Sequence, residues 1–180
     1  MEYKKFGGVY AVRMDKGEEI LAKLKEFAVK ENVVFARVSA IGAVGSFTAG
    51  VFDAKAKEYR ANEFEGNFEI VSLSGTIDRM NGAFYAHLHM SAGNEKGEVF
   101  GGHLNRAVVS ATCEMTVALI DGGIDRRFDE ESLEILTAAG RLRRGGARRT
   151  VWRKRADWRI SDGGGESDRK RGKSRRLLIR

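Results

Sequence analysis

Proline is absent from all 180 residues, so no motif that needs it can be present. Cysteine occurs once, at Cys113, which excludes an internal disulfide and fits a reducing cytosol. No window approaches about 18 uninterrupted apolar residues, the length that marks a membrane-spanning helix. The opening Met1–Phe6 lacks the apolar run of a secretory signal, so the expected compartment is cytoplasmic. Histidine is nearly as scarce, with three in the whole chain, and all of them (His87, His89 and His103) fall between Tyr85 and Leu104.

The net charge of +7 hides two populations. Residues 1–139 carry 16 basic and 21 acidic side chains, a balance of −5, whereas residues 140–180 carry 16 basic and 4 acidic ones, a balance of +12. By charge, the body is therefore not a nucleic-acid binder, and the basic character belongs to the last forty or so residues.

The histidine stretch reads as a strand. Side chains on a strand alternate faces, so Tyr85, His87, His89 and Ser91 share one face while Ala86, Leu88 and Met90 share the other. Leu88 and Met90 read as core, which leaves the imidazole face as a site or an interface. Gly101 and Gly102 allow a tight turn before His103 arrives. Three converging imidazoles suit a divalent metal, with zinc first, and leave one tetrahedral position open. The plainer alternative is three histidines that only hydrogen-bond within a polar pocket.

Elsewhere the pattern predicts a first strand over residues 6–14. A helix follows over about 16–31, capped by Asp15, with Ile20, Leu21, Leu24, Phe27 and Ala28 as its apolar stripe. Asn32 is placed to end it in a left-handed turn. Strands are expected over 33–41, 47–52, 55–59, 66–77 and 107–120, with Asn81-Gly82 as a hairpin turn. Gly42 and Gly45 read as turn or close-packing glycines, because the third glycine, helix and lysine of a phosphate loop are missing. In the 66–77 strand the expected faces are Phe68, Ile70, Ser72 and Ser74 against Glu69, Val71, Leu73 and Gly75.

Glu114 is the one acid in the long apolar strand. It reads as a metal ligand, a partner orienting a histidine, or an acid exposed at an edge. As a general acid or base it is a weak candidate, with Glu69 the other acid near the motifs. Cys113 reads as core. From Gly140 onward apolar periodicity disappears, and Arg143, Arg144, Arg148, Arg149, Arg153, Lys154 and Arg155 form a basic arm suited to phosphate contact. Trp152 and Trp158 could stack on bases. The abrupt change from lysine to arginine usage would equally follow from an altered reading frame.

Four stretches occur in characteristic order and spacing: Val38-Ser39-Ala40-Ile41-Gly42-Ala43, Phe68 to Gly75, His87-Leu88-His89 and Gly101-Gly102-His103-Leu104. Together they resemble the plant-and-prokaryote-conserved (PPC) domain across about residues 5–136. The resemblance implies an α+β fold, a mostly antiparallel β-sheet of about seven strands with one main flanking helix, assembled as a homotrimer. It divides the chain into a domain at 1–139 and a tail at 140–180 outside the match. It also implies that His87, His89 and His103 occupy positions at which family members can hold a metal. In plants the domain follows AT-hooks in nuclear DNA-binding regulators. An AT-hook core requires proline and is excluded here, which weighs against minor-groove binding.

Three functions follow as expectations. The first is a trimeric domain with a three-histidine metal site; the second is a DNA-associated regulator that uses the tail. The third, less favoured, is an enzyme acting on a small molecule through a zinc-activated water. A trimer would cover a face bearing Phe47, Val51 or Thr116, since one helix cannot cover both sides of the sheet.

Overall fold

A computed structural model describes residues 1–129 and 133–139. In chain order the elements are β1 (Glu2–Phe6), β2 (Val9–Asp15), α1 (Ile20–Lys30), β3 (Ala36–Asp53), β4 (Glu58–Met80), β5 (Ala83–Asn94), β6 (Val99–Leu119), β7 (Gly123–Asp129) and β8 (Leu133–Ala139). The α+β class holds: one helix accompanies a single sheet, antiparallel throughout except where β7 runs parallel to β4. The described residues contribute eight strands where about seven were expected.

Four long strands make the frame. β3 pairs with both β4 and β6, β4 pairs with β5, and β5 pairs with β6, so the circuit β3–β4–β5–β6 closes on itself. Closure removes open edges from these strands and leaves each with an inner and an outer face. β1 and β2 extend the sheet from β6, and the β7–β8 hairpin extends it from β4.

The helix covers one side by its predicted stripe. Ile20, Leu24, Phe27 and Ala28 are buried with Tyr10, Val12 and Met14 from β2, Leu88 and Met90 from β5, and Cys113, Met115 and Val117 from β6. Full burial of such a side chain contributes about 1.5–3 kcal/mol, so this stripe is what fastens α1 to the sheet. Tyr3 and Tyr10 pack edge-on against Phe27 with ring centres 5.0 Å away in each case. Both hydroxyls donate to the Glu31 carboxylate at 2.8 Å, and these bonds hold that carboxyl below its usual range.

Several expectations change. The first strand is a hairpin, turning at Gly7-Gly8. Asp15 does not cap the helix because its backbone belongs to the β2–β6 ladder, opposite Thr112. Glu19 caps instead, its carboxylate accepting from the Leu21 and Ala22 amides and also from Ala107 of β6. The glycines at 42 and 45 lie within β3, which runs through register shifts rather than breaking into two strands; the close-packing reading holds at Gly42, where a Cβ would collide with the Thr112 carbonyl. The 55–59 strand is a turn followed by the start of β4.

In β4 the expected alternation fails midway: Phe68 and Ile70 are buried, but so are Leu73 and Ile77, while Ser72 and Ser74 are exposed. A register shift between Ile70 and Ser72 inserts one residue, and one residue turns every later side chain to the other face. Phe47 is core, stacked on Phe64 at 4.6 Å, and so cannot belong to a subunit-contact face. Val51 and Thr116 are exposed. Asn32 (φ 51°) and the Asn81-Gly82 turn (φ 52° and 80°) take the left-handed conformations read from the sequence.

Candidate metal centre

The side of the sheet away from α1 carries the histidines. Residues directly opposite on paired strands share a face, and here the pairs are Ser72 with Ser91, Ser74 with His89, Thr76 with His87 and Asp78 with Tyr85. On the other flank of β5, His89 stands directly opposite His103 of β6. Leu88 and Met90, between the histidine-face residues, are buried on the helix side as the alternation required.

Two glycines bring these strands together. A Cβ at Gly75 of β4 would collide with the His87 carbonyl, and a Cβ at Gly101 of β6 would collide with the Met90 carbonyl. The histidine strand is thus flanked by a bare backbone position on each side, which permits its close approach to both neighbours. Gly101 serves this purpose inside β6, Gly102 makes the same allowance for Gly50 of β3, and the two do not form the turn expected of them. The chain turns instead at Glu95–Gly97.

The three imidazoles converge. Their ring centres are 5.4 Å apart for His87–His89, 5.0 Å for His87–His103 and 5.5 Å for His89–His103. One potential ligand nitrogen from each lies within 4.8 Å of the others. Three imidazoles on one tetrahedral zinc, with bonds of about 2.0–2.1 Å, place their ring centres about 5.2 Å apart and their nitrogens about 3.3 Å apart. The ring spacing fits. The residues present therefore suit a metal. His89 is exposed and the other two are half-buried, so the approach is from solvent.

Neighbouring side chains flank the site. Tyr59 of β4 stands edge-on to His103 with centres 6.2 Å apart, and its hydroxyl donates to Asn105 Oδ1 at 2.6 Å. Beside His87, the Arg126 guanidinium of β7 donates to both carboxylate oxygens of Asp78, at 2.9 and 2.8 Å, and to Thr76 Oγ1 at 3.3 Å. Thr76 donates to Asp78 at 2.7 Å, and the guanidinium lies 5.5 Å above the Tyr85 ring. Arg126 and Asp78 are 5% and 1% exposed, a buried bidentate pair behind the strand position opposite His87.

Sequence reasoning placed the histidines together and missed Tyr59, Asp78 and Arg126. Asp78 fell just past the end of the expected 66–77 strand and Tyr59 at the end of the expected 55–59 strand. The alternation of Ser74, Thr76 and Asp78 was the available signal, hidden by the register shift that precedes it. Glu114 is exposed and lies eleven residues further along β6 than His103, roughly 35 Å of strand. It lines a separate open groove with Glu2, Lys4, Arg13 and Ile41. Glu69 is exposed opposite Gly93, five residues before the Ser74 position that faces His89. Neither acid joins the histidines. Cys113 is buried, and burial pushes its thiol up to about 11, so it stays protonated and unreactive. The seven basic residues from Arg143 to Arg155, and both tryptophans, lie outside the described residues.

The sequence profile described as the Plants and Prokaryotes Conserved (PCC) domain matches residues 1–121. The chain belongs to this family. Among solved structures, a protein from Bacteroides thetaiotaomicron provisionally described as DNA-binding is 30% identical. The match covers 76% of this chain and 96% of that one, with a TM-score of 0.73. A metal-containing protein from Archaeoglobus fulgidus is 34% identical over 74% and 95% of the two chains, TM-score 0.66. A plant- and prokaryote-conserved protein from Pyrococcus horikoshii is 31% identical over 78% and 93%, TM-score 0.65. No curated protein matches the chain. The PCC profile takes in all three histidines and ends before β7, so Arg126 is contributed from beyond it.

Proposed function

We propose that this PCC-domain chain is a cytoplasmic, trimeric ligand-binding protein whose His87, His89 and His103 hold one divalent metal, zinc by preference. The observation that carries the proposal is the near-equilateral triangle of imidazoles, 5.0–5.5 Å between ring centres. An all-nitrogen donor set without a carboxylate favours zinc over magnesium or calcium, which take oxygen ligands. The Archaeoglobus relative described as metal-containing supports the same reading. When bound, zinc supplies a Lewis acid for an oxygen ligand approaching from solvent. The chain's own part is to hold the three rings: Tyr59 packs against His103, and the Asp78–Arg126 pair fixes Thr76 opposite His87.

The trimer rests on the family resemblance; Val51 and Ile41, apolar side chains 62% and 60% exposed on β3, are available to a neighbouring subunit. No described helix is long and apolar enough to cross a membrane. Elemental analysis of protein purified without chelator should find one metal per chain, lost in His87→Ala; metal-free protein, or full loading of His87→Ala, overturns the proposal.

A DNA-associated role is the second reading. It is favoured by the Bacteroides relative and by one from Ralstonia eutropha, 26% identical, both provisionally described as DNA-binding. The acidic body puts the contact in the basic tail. Duplex binding should then be salt-sensitive and vanish on deletion of residues 140–180. A metal-dependent enzyme is less supported, because the two acids read as candidates, Glu114 and Glu69, stand away from the histidines.

A further inference from the structure

A depression of about 360 Å³ opens beside His89, and its lining is two-sided. Ser72, Ser74 and Ser91 lie along one flank, with Ser72 directly opposite Ser91 and Ser74 directly opposite His89. Val99, opposite Gly93 on the same face, lies along the other; Phe100, opposite the buried Ala92, turns its ring away onto Phe64 at 5.1 Å. Gly101, opposite Ser91, leaves the β6 position between them without a side chain, so the hollow runs on to the imidazole. The lining contains no acidic group and no lysine or arginine.

Those features define a ligand. Three hydroxyls offer hydrogen bonds to an oxygen-rich head group, and the valine offers an apolar wall to a short hydrocarbon. With a dication on the histidines, the only formal charge among the lining residues is positive, which selects against amines. The lack of any cationic side chain gives a multiply charged phosphate no compensation beyond the metal itself. We propose that this hollow is the ligand subsite of the metal centre and takes a short-chain monocarboxylate. The carboxylate is shared between metal and serines, and the alkyl end rests on Val99. The inference rests on the metal reading above.

The test uses the full chain loaded with Co²⁺, a spectroscopic stand-in for zinc, and butyrate as the probe. Co²⁺ uptake should give the visible bands of a tetrahedral site, absent in His87→Ala, and butyrate should perturb them saturably. Butylamine should not. The Ser72→Ala/Ser91→Ala variant should load Co²⁺ as before and bind butyrate roughly tenfold more weakly, as expected for losing hydrogen bonds to a charged group. Val99→Ser, at a position 55% exposed and so tolerant of change, should weaken butyrate while leaving acetate unchanged. Failure to load Co²⁺ defeats the metal reading itself. Normal loading with bands indifferent to butyrate defeats the subsite alone, as does equal butyrate affinity in both serine-to-alanine and wild-type proteins.

Discussion

The two faces of β5 differ in almost every property while alternating along one strand. On the helix side, Leu88 and Met90 are sealed into a core shared with Ile20, Leu24 and Phe27. On the other, Tyr85, His87, His89 and Ser91 stand in a row of hydroxyls and rings open to solvent. The core side is paid for in apolar area and gives the strand its position; the site side inherits that position with little stabilising work to do. The chemistry is therefore free to be polar because its backbone is fastened from behind. One place departs from this division: Asp78 and Arg126 lie among the polar residues yet are buried.

Substitutions can break or sharpen the contrast. The largest effect should come from the exception. Arg126→Ala leaves Asp78 as an uncompensated buried charge and should cost about 3–5 kcal/mol. Chemical denaturation would show it, and an effect below about 1 kcal/mol would place the pair with the solvated residues. Leu88→Ala should cost about 2–5 kcal/mol for a fully buried leucine. His89→Ala, one residue away on the open face, should change stability by no more than about 0.5 kcal/mol while abolishing metal uptake. Comparable losses from the two variants would erase the distinction between faces.

A smaller effect tests the helix side by pH. The folded-state pKa of Glu31 is lowered by the hydroxyls of Tyr10 and Tyr3. Its stabilising contribution is therefore present above the unfolded carboxyl value of about 4.3 and is lost as pH falls through the lower folded value. Glu31→Gln should be less stable than wild type at pH 7 and should converge with it in acid. A gap that persists unchanged at pH 3 would assign the effect to packing. The smallest effect belongs to Glu114→Gln, which should leave metal stoichiometry unchanged and stability within about 0.5 kcal/mol. Loss of metal in that variant would bring Glu114 back into the centre.

How far the sequence could be read depended on regularity. β5 was legible because its period of two runs without interruption from Tyr85 to Ala92, so assigning one side chain assigned the rest. β4 was not, because a single inserted residue near Val71 reverses the faces, and alternation carries no mark of where it slips. The helix was found by its stripe, but its cap was misplaced, because the ladder to β6 claims Asp15 and leaves Glu19 to satisfy the first amides. Glu114 looked significant as a lone acid in an apolar strand, yet the strand has an exposed face and the acid simply occupies it.

The sequence by itself determined that His87 and His89 share a face and that the strand behind them is anchored by leucine and methionine. Those are consequences of short-range geometry, where a spacing of two residues fixes a direction. Only the tertiary structure decided what surrounds them. Gly75 and Gly101 admit the histidine strand between β4 and β6, His103 meets His89 across a ladder, and Tyr59 and Arg126 arrive from strands distant in the chain. The reason is strand closure: contacts between β3, β4, β5 and β6 are set by register across the sheet, which no local pattern of residues encodes.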